Sequence, residues 1–375
     1  MDNLRQFLNE SPDCTLWEYL QSNDKPILIY GMGDGAEKII TVLENKNIGF
    51  SDIFASDGFV RGQLFRGKRV KSFSEVKAEY ADFIILVAFA SRQSETVEML
   101  YAMSEAYELY APDVNVSGDY TEVFDSDFYS RHHNELYSAM MMLEECSREV
   151  FCRILDFKMS GKLKYLREAD SLIKNPHKLY RTDLIHTYAD LGAYTGDTLK
   201  SAVELYTKLE SAILMEPDEK NFKKLSAYAD TLEIETRAYN NAAWSCTAEM
   251  TVHMGFGMNT TLGNIAQGLQ KKKEKLIRTL PLDSITDNAD LIKYDVEGSE
   301  LEALEGSKKL ITGNRPVLIV SVYHNNNDLY KLPGLIKSYS QSYKLYLNRK
   351  PCIPAWELEI IAVDEKYAIQ GEQNV

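Results

Sequence analysis

The residues best suited to chemistry fall in four short stretches of the C-terminal half. The first is Asp190-Leu-Gly192-Ala193-Tyr194-Thr-Gly196-Asp197. A carboxylate closes an apolar run, and two glycines four apart let the backbone turn tightly and approach a bulky ligand. A strict G-x-G-x-x-G is missing, so the ligand need not be a dinucleotide. The spacing suits a sulfonium amino-acid nucleoside, with Asp190 accepting hydrogen bonds from its ammonium end. The bland alternative is an ordinary strand–turn–helix corner. In the second stretch, the apolar run SAILM ends in Glu216-Pro217-Asp218. An acid at the end of a second strand is placed to take both hydroxyls of a ribose. Asp218 and Glu219 read instead as charges that favour the start of the next helix.

The third stretch, LIKYDVEGSE, delivers Asp295 and Glu297 at the end of an apolar strand. Ser299, Glu300 and Glu302 there read as the capped first turn of a helix. The fourth is RPVLIVSVYH, whose proline-free apolar strand runs into His324. A lone histidine is more often structural than catalytic, and His132, His133, His177, His186 and His253 are read that way. His324 differs because of where its strand ends. It is the candidate general base, with Asp295 orienting it or binding the acceptor hydroxyl. A rival assignment makes Asp295, Glu297 and His324 ligands of Mg or Mn, since two carboxylates and an imidazole suit such an ion with open positions. The sequence leaves both open.

These stretches need strands that end at one edge of a sheet, and the chain supplies them. From about residue 183, apolar strands alternate with helical patterns: DLIHTYADL, SAILM, LEIETRAY, DLIKYDVEG and RPVLIVSVY. KLYLNRK and LEIIAV follow as a closing antiparallel pair. The same alternation marks KPILIYGMGDGAEKII and DFIILVAFAS nearer the N-terminus, so the expected fold is α/β, doubly wound, in two parts. The expected division is an N-terminal Rossmann-like domain over 1–118, a helical connector over 119–180 and the larger domain over 181–375. Residues 4–21 read as one short amphipathic helix. Pro281, inside TLPLDSI, predicts an edge or irregular strand.

Composition narrows the partners. The chain has 375 residues and a formal net charge of -14, so a phosphate backbone is repelled on average and nucleic acid is not expected. The five cysteines form no C-x-x-C pair, which fits a reducing cytoplasm better than a disulfide or zinc framework. The polar, acidic N-terminus is no signal peptide, and apolar runs of strand length cannot span a bilayer. Whether the chain forms a homo-oligomer stays open.

Taken together, DLGAYTGDT at 190–198, EPDEKNF at 216–222, TLPLDSI at 279–285, IKYDVEGSELEALEG at 292–306 and RPVLIVSVYH at 315–324 resemble the FkbM family of methyltransferases. The resemblance covers roughly residues 147–363, and DVEGSE is its most specific part. It implies a seven-stranded Rossmann-like methyltransferase fold, S-adenosylmethionine as cofactor, and O-methylation of a small-molecule or glycan acceptor, often a sugar. By matching position, Asp190, Gly192, Ala193, Tyr194, Gly196, Glu216 and Pro217 become cofactor-binding, Asp283 supports the site, and Asp295 and His324 face the acceptor. Residues 253–268 depart from the Ser-rich loop expected for the acceptor, with Thr260 and Thr261 as substitutes.

The N-terminal GMGDGA loop (Gly31, Gly33, Gly35) is a weaker signal. Its domain can hold a nucleotide or nucleotide-sugar at a helix N-terminus, with Asp57 meeting a ribose, or serve only to dock. A nicotinamide-dependent enzyme built on this loop is the second function class, disfavoured because no Tyr-x-x-x-Lys set follows. A non-catalytic scaffold is the third, disfavoured because Asp190, Glu216, Asp295 and His324 occur together.

Overall fold

A computed structural model describes residues 2–172, 175–254, 260–262 and 274–369. Five strands form the first sheet: β1 (Ile27–Tyr30), β2 (Asp52–Ala55), β3 (Lys71–Ser72), β4 (Ile84–Val87) and β5 (Glu108–Tyr110), all parallel in the order β3-β2-β1-β4-β5. The runs ILIY and IILV are buried throughout, as parallel strands covered on both faces must be. The order reverses between β1 and β4, so a crevice opens beyond their carboxyl ends.

The second sheet has seven strands: β6 (Thr187–Leu191), β7 (Ser211–Met215), β8 (Glu235–Tyr239), β9 (Leu291–Tyr294), β10 (Val317–Ser321), β11 (Lys344–Arg349) and β12 (Leu358–Val363). Their order is β8-β7-β6-β9-β10-β12-β11. The first five are parallel, and β12 runs antiparallel to both of its neighbours. This is the seven-stranded arrangement expected from the sequence, including the closing antiparallel pair. Its switch point lies between β6 and β9, where Asp190 nears the end of β6 and Asp295 follows β9.

Three helices, Ser126–Met142, Glu145–Ser160 and Lys164–Leu172, link the two sheets. The middle one packs on β11, and the largest buried apolar cluster runs from β1 and β4 through these helices to β9, β10 and β12. A further four-stranded sheet is inserted after β8, from Ala242–Ala243, Ala248–Met254, Thr260–Leu262 and Glu274–Leu280. Pro281 directly follows the last of these strands and opens a 3-10 turn, Leu282–Ser284, so it ends a strand rather than kinking one. Most of the expected 253–268 acceptor loop (255–259 and 263–268) lies outside the described residues.

The amphipathic helix expected over 4–21 is instead a 3-10 turn, Arg5–Phe7, and a helix that starts only at Leu16. The buried Asp156 carboxylate accepts the backbone N–H groups of Asn9 (2.8 Å) and Glu10 (2.9 Å), which pins that segment in a non-helical path. Thr15 and Glu18 then form a capping box that begins the helix anew.

Candidate active site

A cavity opens at the carboxyl ends of β6, β7 and β9. Gly192, Tyr194, Glu216 and Pro217 line one side, and Asp295 and Glu297 the other. Ile277, from the inserted sheet, adds apolar wall. Gly192 has φ +88°, and a Cβ there would lie 1.9 Å from the Asp295 carbonyl oxygen. Only glycine lets this loop cross the end of β9 so closely. Glu216 is 6% exposed. Its Oε2 accepts the Tyr194 N–H (2.9 Å) and its Oε1 accepts that of Asp218 (2.8 Å), so the second strand end and the glycine loop are tied together. Burial pushes the Glu216 carboxyl up to about 7. Asp218 caps the helix Glu219–Ala229 through the N–H groups of Lys220 and Asn221, the role expected of it.

Three residues expected to bind the cofactor do not line the cavity. Asp190 is fully buried; its carboxylate accepts the Thr198 hydroxyl and lies 3.9 Å from Lys293 Nζ. Thr198 and Lys293 present the wall in its place. Ala193 is also fully buried, its N–H donated to Met215 O at 2.9 Å. Gly196, at φ +93°, makes room for a neighbour instead of a ligand: a Cβ would meet the Tyr228 ring at 2.8 Å.

Beyond Asp295 lies a buried cluster of acids around one imidazole. Glu297 (φ +56°) and Gly298 (φ +95°) are both left-handed, which swings Glu297 back toward β10. His324 is 0% exposed. Its Nδ1 lies 2.9 Å from Glu300 Oε1, and its Nε2 lies 3.6 Å from Glu297 Oε2 and 3.7 Å from Asp295 Oδ1. Burial opposes the imidazole's charge, but Glu300, Glu297 and Asp295 outweigh it and push His324 up to about 10. Burial would raise Asp295, yet Lys293, whose Nζ is 3.2 Å away, and His324 bring it down to about 2. Glu297 is pushed up to about 7 by burial, against the pull of His324. His324 was expected to reach the ligand edge. It lies behind that edge because the chain continues past β10, and Tyr323 lines the cavity instead, its hydroxyl donating to Asp295 Oδ1 at 3.4 Å. The expected metal set was Asp295, Glu297 and His324. Among the described residues, the group with metal-ligand spacing is Asp295, Glu300 and His324, whose donor atoms all lie within 4.8 Å of one another.

Residues 190–343 match the family described as the methyltransferase FkbM domain. This segment is an FkbM methyltransferase domain, and the protein is a methyltransferase. The chain is similar in fold to the methyltransferase FkbM from Methylobacillus flagellatus KT, at 21% identity and a TM-score of 0.65, with 95% of each chain covered. A putative rRNA-methylase from Clostridium thermocellum overlaps 53% of this chain and 99% of its own at 12% identity and a TM-score of 0.32. Fibrillarin from Aeropyrum pernix overlaps 52% of this chain and 71% of its own at 12% identity and a TM-score of 0.31. No protein of curated function matches the sequence.

Two cavity residues lie outside the matched FkbM segment. Arg92, from the first α/β unit, lines the cavity and pairs with Glu357 at 2.9 Å. Neither carried a motif. Glu300 did: it is the last acid of DVEGSE, but it reads as a helix-start charge and is in fact 1% exposed and turned to His324. Lys293 was also within the FkbM motif, and a lysine inside a buried strand is the signal that was available. Asp283, expected to support the site, accepts the N–H groups of Lys309 and Leu310 at the start of the helix Lys308–Asn314. Asp57, expected at a ribose, holds Phe73 N–H and the Ser74 hydroxyl.

Proposed function

We propose that the protein transfers a methyl group from S-adenosylmethionine to a hydroxyl of a small-molecule or glycan acceptor, with a sugar hydroxyl fitting best. The observation that carries this is one cavity with two chemically distinct ends. The Gly192–Tyr194 backbone and the buried Glu216 carboxylate suit an amino-acid nucleoside: Glu216 takes the ribose hydroxyls, Pro217, Ala242, Ala243 and Ile277 offer apolar surface to the base, and Asn221 adds a polar edge. When bound, the cofactor supplies the electrophilic methyl group and its leaving group. All of these residues lie in the 181–375 domain, which holds the donor.

At the other end, Asp295, Glu297 and Tyr323 face the acceptor. A sugar hydroxyl is a weak acid, so a base must take its proton as the bond forms. His324 is buried behind the carboxylates and acts as a positioning residue. Glu297 is the group that receives the proton: it lines the cavity, and its carboxyl is poised near neutrality. Asp295, kept charged by Lys293, orients the hydroxyl. Scattered cysteines and the acidic composition favour a cytoplasmic setting. Among the described residues, no helix is long and apolar enough to cross a membrane.

Calorimetric titration with S-adenosylmethionine tests the donor assignment; no binding by the folded protein overturns it. One observation favours a second reading of the acceptor end. Donor atoms of Asp295, Glu300 and His324 lie within 4.8 Å of one another, and two carboxylates with an imidazole suit Mg or Mn. Turnover that is abolished by exhaustive chelation and restored by Mg or Mn selects this reading over the carboxylate base.

A further inference from the structure

The crevice of the first sheet borders the methyl-transfer cavity. It is a cavity of about 310 Å³ beyond β1 and β4, at that sheet's switch point. Its walls include Gly33 and Phe89 from the first α/β unit and Pro354 and Trp356 from the chain before β12. Two loops connect it to the methyl-transfer cavity. The loop after β4 gives Phe89 to the crevice and Arg92 to the cavity. The loop before β12 gives Trp356 to the crevice and Glu357 to the cavity. The loops are zipped together: Ser91 N–H donates to Ile353 O at 2.9 Å, and Ile353 N–H donates to Ser91 O at 3.1 Å. Three residues of chain span at most about 11 Å, so the two hollows are neighbours, with the Arg92–Glu357 pair between them.

The charges say what the crevice takes. Its lysine, Lys38, is engaged by the Val116 carbonyl at 2.7 Å and by Asp34 at 3.2 Å. Asp34 itself stands in the first helical turn after the glycine loop, where a phosphate would have to sit, and it repels one. Asn115 is likewise spent, its amide donating to Asp119 O and Glu122 O and accepting the Asn326 N–H, and the other side chains there are mostly apolar or aromatic: Ile39, Val87, Val114, Phe89 and Trp356. On the reading that the acceptor is a hydroxyl compound, we propose that this acceptor is elongated and uncharged, with its hydroxyl ring in the methyl-transfer cavity and an aryl or comparably flat apolar aglycone in the crevice against Phe89 and Trp356.

Gly33 permits a clean test. It has ordinary backbone geometry, and a Cβ there meets nothing within 4 Å, so Gly33→Leu enters the crevice without a clash at Cβ, and an unchanged melting temperature confirms that the fold is kept. The full-length protein, saturated with S-adenosylmethionine, is titrated with 4-methylumbelliferyl β-D-glucoside, its galactoside and xyloside counterparts, methyl β-D-glucoside, and UDP-glucose. The expected result is that at least one aryl glycoside binds more tightly than methyl glucoside and UDP-glucose. Gly33→Leu and Trp356→Ala then each weaken it roughly tenfold or more and leave S-adenosylmethionine affinity unchanged. Unchanged aryl-glycoside affinity in Gly33→Leu, absence of binding across the aryl panel, or preferential binding of UDP-glucose that the variant abolishes each overturns the proposal. Failure of S-adenosylmethionine itself to bind is a different outcome and strikes the donor assignment.

Discussion

Gly192→Ala asks whether the glycine loop and the end of β9 are locked together as the geometry says. At φ +88°, an alanine is held in a left-handed conformation, and its Cβ would lie 1.9 Å from Asp295 O. Backbone oxygen cannot yield as a side-chain tip can, so loop and strand end must separate by more than about 1 Å. Strain of this kind costs of the order of 1–3 kcal/mol. If the free protein relaxes it by moving the loop, the donor must restore the geometry on binding, which weakens affinity about 5- to 150-fold. If the loop cannot relax, the same energy lowers thermal stability by several degrees instead. The readouts are calorimetric titration with S-adenosylmethionine and scanning calorimetry of the unliganded protein, with Gly313→Ala as the control because nothing lies within 4 Å of its Cβ. Wild-type affinity together with wild-type melting would refute the reasoning, since the penalty has no third place to appear.

Glu216 connects donor binding to pH: its carboxyl sits near 7, and only the ionised form offers both oxygens to ribose. Affinity for S-adenosylmethionine is therefore expected to rise with pH through about 7, and Glu216→Gln to flatten that rise; a pH-independent wild-type affinity counts against the ribose role. Glu297→Gln is expected to lower kcat about 10²- to 10⁴-fold with donor affinity held; full activity on the true acceptor removes Glu297 as the base. His324 carries a folded-state value near 10 against an ordinary 6.5, so the stability it contributes is complete below about 6.5 and is lost as pH rises through about 10. The wild-type melting temperature should fall over that alkaline range, and His324→Gln should melt lower at pH 7 with a shallower fall; a variant that melts like wild type at neutral pH refutes the clustered-charge account.

The strands were legible because burial on both faces demands continuous apolar runs, and ILIY, IILV, SAILM and VLIVS are such runs. The closing antiparallel pair was legible too, whereas the order of the strands, with β12 between β10 and β11, came only with the structure. Arg92 was not, because its place in the cavity depends on how two sheets pack across more than two hundred residues of chain. The segment before Leu16 was misjudged for a similar reason: a distant buried acid, Asp156, takes the N–H groups that a helix would have used.

The instructive cases are Asp190 and His324, whose importance was visible but whose direction was not. Both were read as ending strands at the ligand edge, and a charged group there invites assignment to the ligand. The same edge, however, brings five ionisable groups together: Asp190, Lys293, Asp295, Glu300 and His324, all but Asp295 buried. A buried charge without a partner costs several kcal/mol, so most of these groups must satisfy one another before any can serve a substrate. Asp190 holds Thr198 and faces Lys293; Glu300 holds His324; Lys293 keeps Asp295 ionised. The acids left to meet ligands, Glu216, Asp295 and Glu297, line the cavity, the last placed by a left-handed turn at φ +56°. Packing around each strand end, not residue type, thus divides the acids into those that hold the site and those that act in it.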